Sequence, residues 1–397
     1  MSVLQIQDSR ERALVRVADA ALAVAAGLAR PFVQRQPASP PQRILLLRIE
    51  RIGDLVMTLD AIRDVRALAP DAEIDLVVGS WNQPLAAAIP AVDRVVLLDA
   101  AWLAREGQGL GLPSLLRSAW RWRDRRYDLA INFEPDIRSN LVAAASGAAR
   151  TVGWKSGGGG PVLDIALDYD TPAHTSSNAR QLVRDAFGRT PPVSTQPLLA
   201  LPDAAVAEAA TILGEGVSRP LVGVHVNGGR AIKQWKPRQF AEVVATVADS
   251  VGGTIVATGS PADRPLIAEL QSALAPHTVI DASRASDLVV TAAILSRLDL
   301  FITGDTGPMH VASAVGTPVV AIFGPSDPIR YATRGEFDRV VRIDLPCSPC
   351  NRIRRPPSRC VGHTPDCLTG VSSEAVIEAA LSVLGKTTTV AQRIGLL

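Results

Sequence analysis

From Arg43 onward, short and almost unbroken apolar runs alternate with longer stretches in which apolar residues recur every three or four positions. "RILLLR" precedes a helical pattern from Asp54 to Leu68, and "EIDLVV" precedes one from Gln83 to Ala88. "RVVLLD" and "DLAINF" flank a helical stretch containing "LLRSAWRWRDRR". Continuous apolar runs of this length predict strands covered on both faces, and their alternation with amphipathic helices predicts βαβ units and a parallel sheet. "GRTPPVSTQPLLALPD" at 188–203, rich in proline and turn formers, interrupts the pattern. A second series follows: "LVGVHV", "TIVAT", "TVID", "DLFIT" and "PVVAIF", with helices near 237–250, 262–274, 286–297 and 307–315. The expected fold class is α/β, with two doubly wound, Rossmann-like parallel-sheet domains facing across a cleft. The expected segments are an extension and linker at 1–42, a first domain at 43–195, a second at 196–375, and a helix and tail at 376–397.

The length of 397 residues suits two cores rather than one. With 41 basic against 39 acidic residues the net charge is +2, so no global field selects nucleic acid and none is expected as a partner. The first 42 residues place acids and arginines ahead of their apolar part and show no small-residue cleavage pattern, unlike a signal peptide. Their apolar stretch, Val17 to Ala29, is broken by Asp19 and falls short of the roughly 20 residues a spanning helix needs. A solvated or docking helix is expected ahead of one lying on a membrane with Arg10, Arg12, Arg16 and Arg30 toward lipid head groups. "QPASPPQ" reads as a linker, and the protein as cytoplasmic, with the inner face of the cytoplasmic membrane as the alternative location.

Ligands of doubly wound sheets bind outside the carboxyl ends of the strands. There the chain places "IERIGDL", "NGGRAIKQW", "GSPADR" and "GDTGPMH". In the last, Gly304 and Gly307 permit a tight turn, Thr306 suits an N-cap and Pro308 a first helical turn. The N–H groups at 307, 309 and 310 would then face an anion such as phosphate. The plainer reading is a capped helix, with Asp305 capping and His310 packed. Asp54 reads as a helix cap or as a carboxylate that accepts a proton from an attacking hydroxyl. Lys233 reads as a solvated loop lysine or as the point charge for a diphosphate. No G-x-G-x-x-G, Walker A, H-E-x-x-H or Ser-His-Asp pattern appears. The four cysteines, Cys347, Cys350, Cys360 and Cys367, lie within 21 residues, where four thiolates would close a tetrahedral zinc or iron site; unligated reduced thiols are the alternative. "WRWRDRR" reads as a basic helix face, or as a surface for an anionic acceptor or a membrane.

On these residues the chain resembles glycosyltransferase family 9, the heptosyltransferase family of lipopolysaccharide assembly. The likeness runs from about Arg43 to Leu384 and rests on "ILLLRIERIGDLVMTLDAIRDVRALAPDAEIDLVV", "PAVDRVVLLD", "KQWKPRQFAEVV" and "FITGDTGPMHVASAVGTPVVAIFGPSDP". It implies the GT-B architecture, with the acceptor on the first domain and the nucleotide-sugar on the second, and inversion without a catalytic metal. It implies Asp54 as base, Lys233 on phosphate, and Asp305, Thr306 and Gly307 as the nucleotide-sugar loop, with Asp305 on the sugar or ribose side and the amides after Thr306 on the diphosphate; Pro308, Met309 and His310 are further candidate binding residues. Gly53, Asn227, Gly228, Gly229 and Gly259 are the strand-end residues taken to border the same ligands. "HVNGGRAIK" has glycines where some members have hydroxyls, and "GSPADR" lacks a glutamate often found near the ribose. The implied donor is ADP-heptose and the implied acceptor a lipopolysaccharide, another glycan or a protein. The cysteine segment is similar to a metal-bearing finger in one branch of the family. An epimerase of nucleotide-sugars and a catalytically silent binding protein are the alternatives.

Overall fold

The computed structural model describes residues 4–6, 8–29, 40–103 and 109–393. The chain divides into two compact units, Met1–Ala200 and Leu201–Leu397. In the first, strands β1 (Arg43–Leu47), β2 (Glu73–Val78), β3 (Arg94–Leu97), β4 (Leu129–Asn132), β5 (Arg150–Trp154) and β6 (Ile165–Leu167) form one parallel sheet in the order β3-β2-β1-β4-β5-β6. In the second, β7 (Leu221–His225), β8 (Thr254–Thr258), β9 (Val279–Asp281), β10 (Leu300–Gly304), β11 (Val319–Ile322) and β12 (Arg339–Val341) pair in the order β12-β11-β10-β7-β8-β9. Counted from its own first strand, the second order repeats the first. Both units are Rossmann-like, and the strand order reverses between β1 and β4 and between β7 and β10.

The central strands are where the sequence is most apolar. Ile44 to Leu47 and every residue of β10 are buried, as covering on both faces requires. Strands β5, β6 and β12 are not among the runs read from the sequence: β6 and β12 are three residues long and only partly buried, and β5, although buried from Thr151 onward, is built of Arg, Thr, Val, Gly and Trp rather than an aliphatic run. The helix expected from Asp54 to Leu68 is two helices, Ile52–Val56 and Leu59–Leu68. Between them the Thr58 hydroxyl donates to the Asp54 carbonyl at 2.8 Å, a local bond that competes with the helical ladder. In the second unit Phe240, Val243, Val244 and Val247 of helix Pro237–Val251 cover the sheet, and Val376, Ala380 and Val383 of the long helix Ser373–Arg393 join the same core.

The amino-terminal helix Ser9–Ala29 docks on the first unit. Val15 is buried, and the Gly159 N–H donates to Asp19 Oδ1 at 2.6 Å. Burial pushes the Asp19 carboxyl up, against the opposing pull of that hydrogen bond. Gly158 has φ +93°, and a Cβ there would come within 2.3 Å of Val15 Cγ1, so only glycine fits. Residues 30–39, which include Arg30 and most of the proline-rich linker, lie outside the described residues. Among the described residues no helix is long and apolar enough to cross a membrane.

Gly158→Ala combines a strained positive φ with a clash, and is expected to destabilise the docked helix by about 1 to 3 kcal/mol. Limited trypsin digestion should cut faster at Arg10, Arg12 and Arg16 than in the wild type. Equal protection would mean that the helix is held by something other than this turn.

Candidate active site

In the second domain, the ends of β7 and β10 converge at the point of strand reversal. Lys233 lies in the turn Ala231–Lys233 after β7, and Asp305 follows β10. Lys233 Nζ is 2.7 Å from Asp305 Oδ2, with the side chains 16% and 12% exposed. Burial alone would raise the Asp305 carboxyl. The charge and hydrogen bond of Lys233, the adjacent Ser326 hydroxyl and the nearby His310 outweigh it and hold Asp305 below the usual carboxylate range.

The loop before Lys233 is shaped by glycine. Gly229 has φ +70°, and a Cβ on Gly228 would lie 2.5 Å from the Lys233 carbonyl oxygen. The Gly228 N–H donates to Gln234 Oε1 at 2.8 Å and the Gly229 N–H to Asn227 Oδ1 at 2.7 Å. Asn227 also donates to Asp263, whose carboxylate accepts from the Ser260 N–H and hydroxyl at 2.7 and 2.8 Å. Burial raises Asp263, but the Ser260 and Asn227 bonds and the nearby His225 bring it below its ordinary value. A Cβ on Gly259 would meet Ile267 Cδ1 at 2.9 Å. These strand ends brace one another.

Helix Gly307–Ala314 starts beside Asp305. Thr306 occupies the N-cap position with an extended backbone, but its side chain makes no capping bond; its hydroxyl lies 3.2 Å from Thr303 Oγ1. The carboxylate of Asp305 is turned to Lys233, not to the helix end that the plainer reading gave it. Pro308 has no N–H, and the N–H groups of Gly307 and Met309 belong to the first turn, where no helical carbonyl lies one turn back. Met309 and His310 are buried. Gly324, Pro325, Ser326 and Leu368 line a small depression with Lys233 and Asp305. None of these four was singled out from sequence, although "FGPSDP" follows a strand as the other loops do.

The first domain repeats the arrangement with different chemistry. Arg48, just beyond β1, is buried; it donates to the Phe133 carbonyl at 3.1 Å, Glu134 Oε2 at 3.3 Å and the Asp54 carbonyl at 3.0 Å, and lies 3.5 Å from Asp54 Oδ1. Glu134 follows β4, so this pair too bridges the reversal point. Asp54 sits within helix Ile52–Val56, after Gly53; the N-cap is Arg51, so the capping role is not the one Asp54 plays. Its side chain is 27% exposed, unlike that of Glu134. Glu134 Oε1 accepts the Glu50 N–H at 3.0 Å. Burial lifts the Glu134 carboxyl well above the usual range against the pull of Arg48, and the charges of Glu50 and Asp54 add to the rise. Arg48 and Glu134 went unnoticed in sequence; the available signal was a charge at the end of each of two apolar strands.

A family model described as glycosyltransferase family 9 (heptosyltransferase) matches residues 116–359, well over half of the chain. The chain belongs to glycosyltransferase family 9. It is a glycosyltransferase, and its two sheets are the Rossmann-like pair expected of the GT-B type. Lipopolysaccharide heptosyltransferase 2 of Escherichia coli (strain K12) is 26% identical over 315 residues, covering 76% of this chain and 88% of that protein. Lipopolysaccharide core heptosyltransferase OpsX of Haemophilus influenzae is 23% identical over 76% of this chain and 85% of its own. Among solved structures, the family 9 glycosyl transferase of Veillonella parvula has a TM-score of 0.74 at 23% identity, covering 87% of this chain and 98% of that one. The ADP-heptose lps heptosyltransferase II of E. coli has a TM-score of 0.70 at 20% identity, covering 87% and 99%.

The cysteine segment of this family 9 chain touches the Lys233 site. All four thiols are free. The Ser348 hydroxyl donates to the Gly324 carbonyl at 2.6 Å and the Asn351 N–H to the Pro325 carbonyl at 2.8 Å, so the turn carrying Cys347 and Cys350 clamps the loop beside Asp305. Cys367 is buried next to Gly324. Burial, then the neighbouring Cys350, Cys360 and Cys347, push its thiol up to about 11. Among the described residues no group of three or more His, Cys, Asp or Glu side chains is arranged to hold a metal ion.

Glu134 gives this account a pH test. A carboxyl raised in the fold above its unfolded value, about 4.3, favours the fold fully below that pH and loses the contribution as pH rises toward the folded value. The stability of the wild type relative to Glu134→Gln should therefore be highest near pH 4 and fall toward pH 8, measured by urea unfolding. A difference that grows with pH would mean that Arg48 holds Glu134 ionised.

Proposed function

We propose that the protein transfers a heptose, with inversion, from ADP-heptose to a hydroxyl of a lipopolysaccharide core acceptor. The observation that carries this reading is the Lys233–Asp305 pair at the start of helix Gly307–Ala314, a cation and first-turn N–H groups together where a departing diphosphate needs them. The heptosyltransferase names of the relatives support the sugar and the acceptor class. Asp54, ionisable and partly exposed beside Arg48, takes the proton of the acceptor hydroxyl. The freed oxygen attacks the anomeric carbon, the bond from that carbon to the diphosphate breaks, and the diphosphate leaves with the electron pair. Lys233 and the N–H groups of Gly307 and Met309 meet the charge that develops. Asp305 holds Lys233 in place before the donor arrives and then serves the sugar or ribose hydroxyls. The epimerase alternative has less support, because the family and the named relatives are transferases.

Steady-state transfer assays and direct donor binding separate these roles. Asp54→Asn should lower kcat by roughly 10² to 10⁴ while donor affinity stays within a few-fold. Lys233→Ala should weaken ADP binding about 10- to 100-fold, the loss of one charged hydrogen bond, and slow transfer as well. Near-normal turnover of Asp54→Asn would reduce that residue to a partner of Arg48. A wild type that binds ADP-heptose but transfers nothing would make the protein a silent binder.

We also propose that Cys347, Cys350, Cys360 and Cys367 close around one structural zinc or iron ion. Support comes from the spacing: all four cysteines lie within 21 residues, and all four thiols are free to serve as ligands. Elemental analysis of untagged protein should find about one such ion per chain. Cys347→Ser/Cys350→Ser should lose it and bind donor more weakly, because the turn it orders clamps Gly324 and Pro325. Metal-free wild type that binds donor normally would contradict this.

A further inference from the structure

The docked amino-terminal helix leaves an apolar stripe uncovered. Val15 is buried and Asp19, Leu22 and Ala26 are half-buried against the first domain, so the opposite side points outward. On that side Leu14, Val17, Val24 and Leu28 recur at helical spacing and are 66–71% exposed. Helix Ser9–Ala29 is about 30 Å long, so the stripe runs well beyond the size of a chance surface residue. Helix Leu112–Arg121 belongs to the same layer: it packs on Ile137–Ala145, which packs on the turn Gly160–Val162, against which the amino-terminal helix rests. Its outer face carries Arg117, Trp120 and Arg121 at i, i+3 and i+4. Trp120 is 59% exposed, with the Arg123 guanidinium 3.4 Å from its ring centroid. Arg123 is itself tied to the Ala145 carbonyl at 3.2 Å, which fixes the stack on the neighbouring helix.

We infer that this layer is a docking surface for an anionic lipid bilayer. The occupant follows from charge. In the two segments the exposed arginines are Arg10, Arg16, Arg117, Arg121 and Arg126, against the exposed acids Glu11 and Asp124. An apolar stripe flanked by arginines, with an exposed tryptophan among arginines two packed elements away in the same domain, is a composition suited to the boundary of head groups and acyl chains. The rigid docking through Asp19 and Gly159 means the stripe need not be released to meet the bilayer. This inference concerns a different surface from the Lys233 and Asp54 sites and is independent of the transfer reading.

The test is co-sedimentation of the full chain with vesicles of phosphatidylcholine alone and of phosphatidylcholine with phosphatidylglycerol at 3:1. The wild type should bind the anionic vesicles far better than the neutral ones, and less at 0.5 M salt, where surface charges are screened. Val17→Asp/Val24→Asp, with circular dichroism and melting like the wild type, should lower the partition about tenfold or more by placing charges on the inserted face. Arg117→Glu/Arg121→Glu should remove the preference for anionic vesicles. No binding by the wild type, or equal binding by both variants, overturns the inference. So does a concentration-dependent dimer lost in Val17→Asp/Val24→Asp without vesicle binding, which would assign the stripe to a second copy of the chain.

Discussion

In each domain a largely buried cation and a carboxyl group bridge the place where the strand order reverses: Arg48 with Glu134, and Lys233 with Asp305. Parallel strands on either side of that point send their crossover helices to opposite faces, which opens a crevice at the carboxyl ends. Charges drawn into such a crevice lose solvation, and the loss is offset only when a partner and further hydrogen bonds are in place. The two pairs meet this constraint differently. Arg48 spreads its planar fork over the Phe133 and Asp54 carbonyls and the side-chain carboxyl groups of Glu134 and Asp54, so its position is fixed from several sides. Among the described residues Lys233 forms its ion pair with Asp305, and an ammonium on a flexible stem can turn to another anion. In the proposed mechanism the first pair is framework, and the second exchanges its partner.

Much of this was legible in the chain. The continuous runs "RILLL" and "LFIT" are central strands because burial on both faces leaves no polar side to alternate with. The loops after them were found because glycine, acid and hydroxyl residues break the apolar pattern where it should stop. The two-domain, Rossmann-like reading and the family followed. Less legible were β6 and β12, three residues each and too short to show a pattern, and β5, where Arg, Thr and Gly interrupt the apolar run. The split at Thr58 was hidden because the amphipathic period continues across it.

The sites show a sharper limit. Glu134 lies 86 residues from Arg48, and Leu368 reaches the Lys233 site from within the cysteine segment. Local spacing does not register such meetings, which the strand order creates. Thr306 shows the opposite case: the residue type suits a cap, yet its hydroxyl is near Thr303, so the helix start keeps its first-turn donors. The cysteine segment, set apart by composition, turns out to be tied through Ser348 and Asn351 to the loop beside Asp305.

Sugar transfer as proposed depends on Lys233 exchanging Asp305 for a diphosphate at the start of helix Gly307–Ala314. The most direct measurement is a crystal structure of the protein soaked with ADP. The diphosphate oxygens should lie within hydrogen-bond reach of Lys233 Nζ and of the N–H groups of Gly307 and Met309. ADP bound elsewhere, with Lys233 still held by Asp305 as at 2.7 Å here, would contradict it.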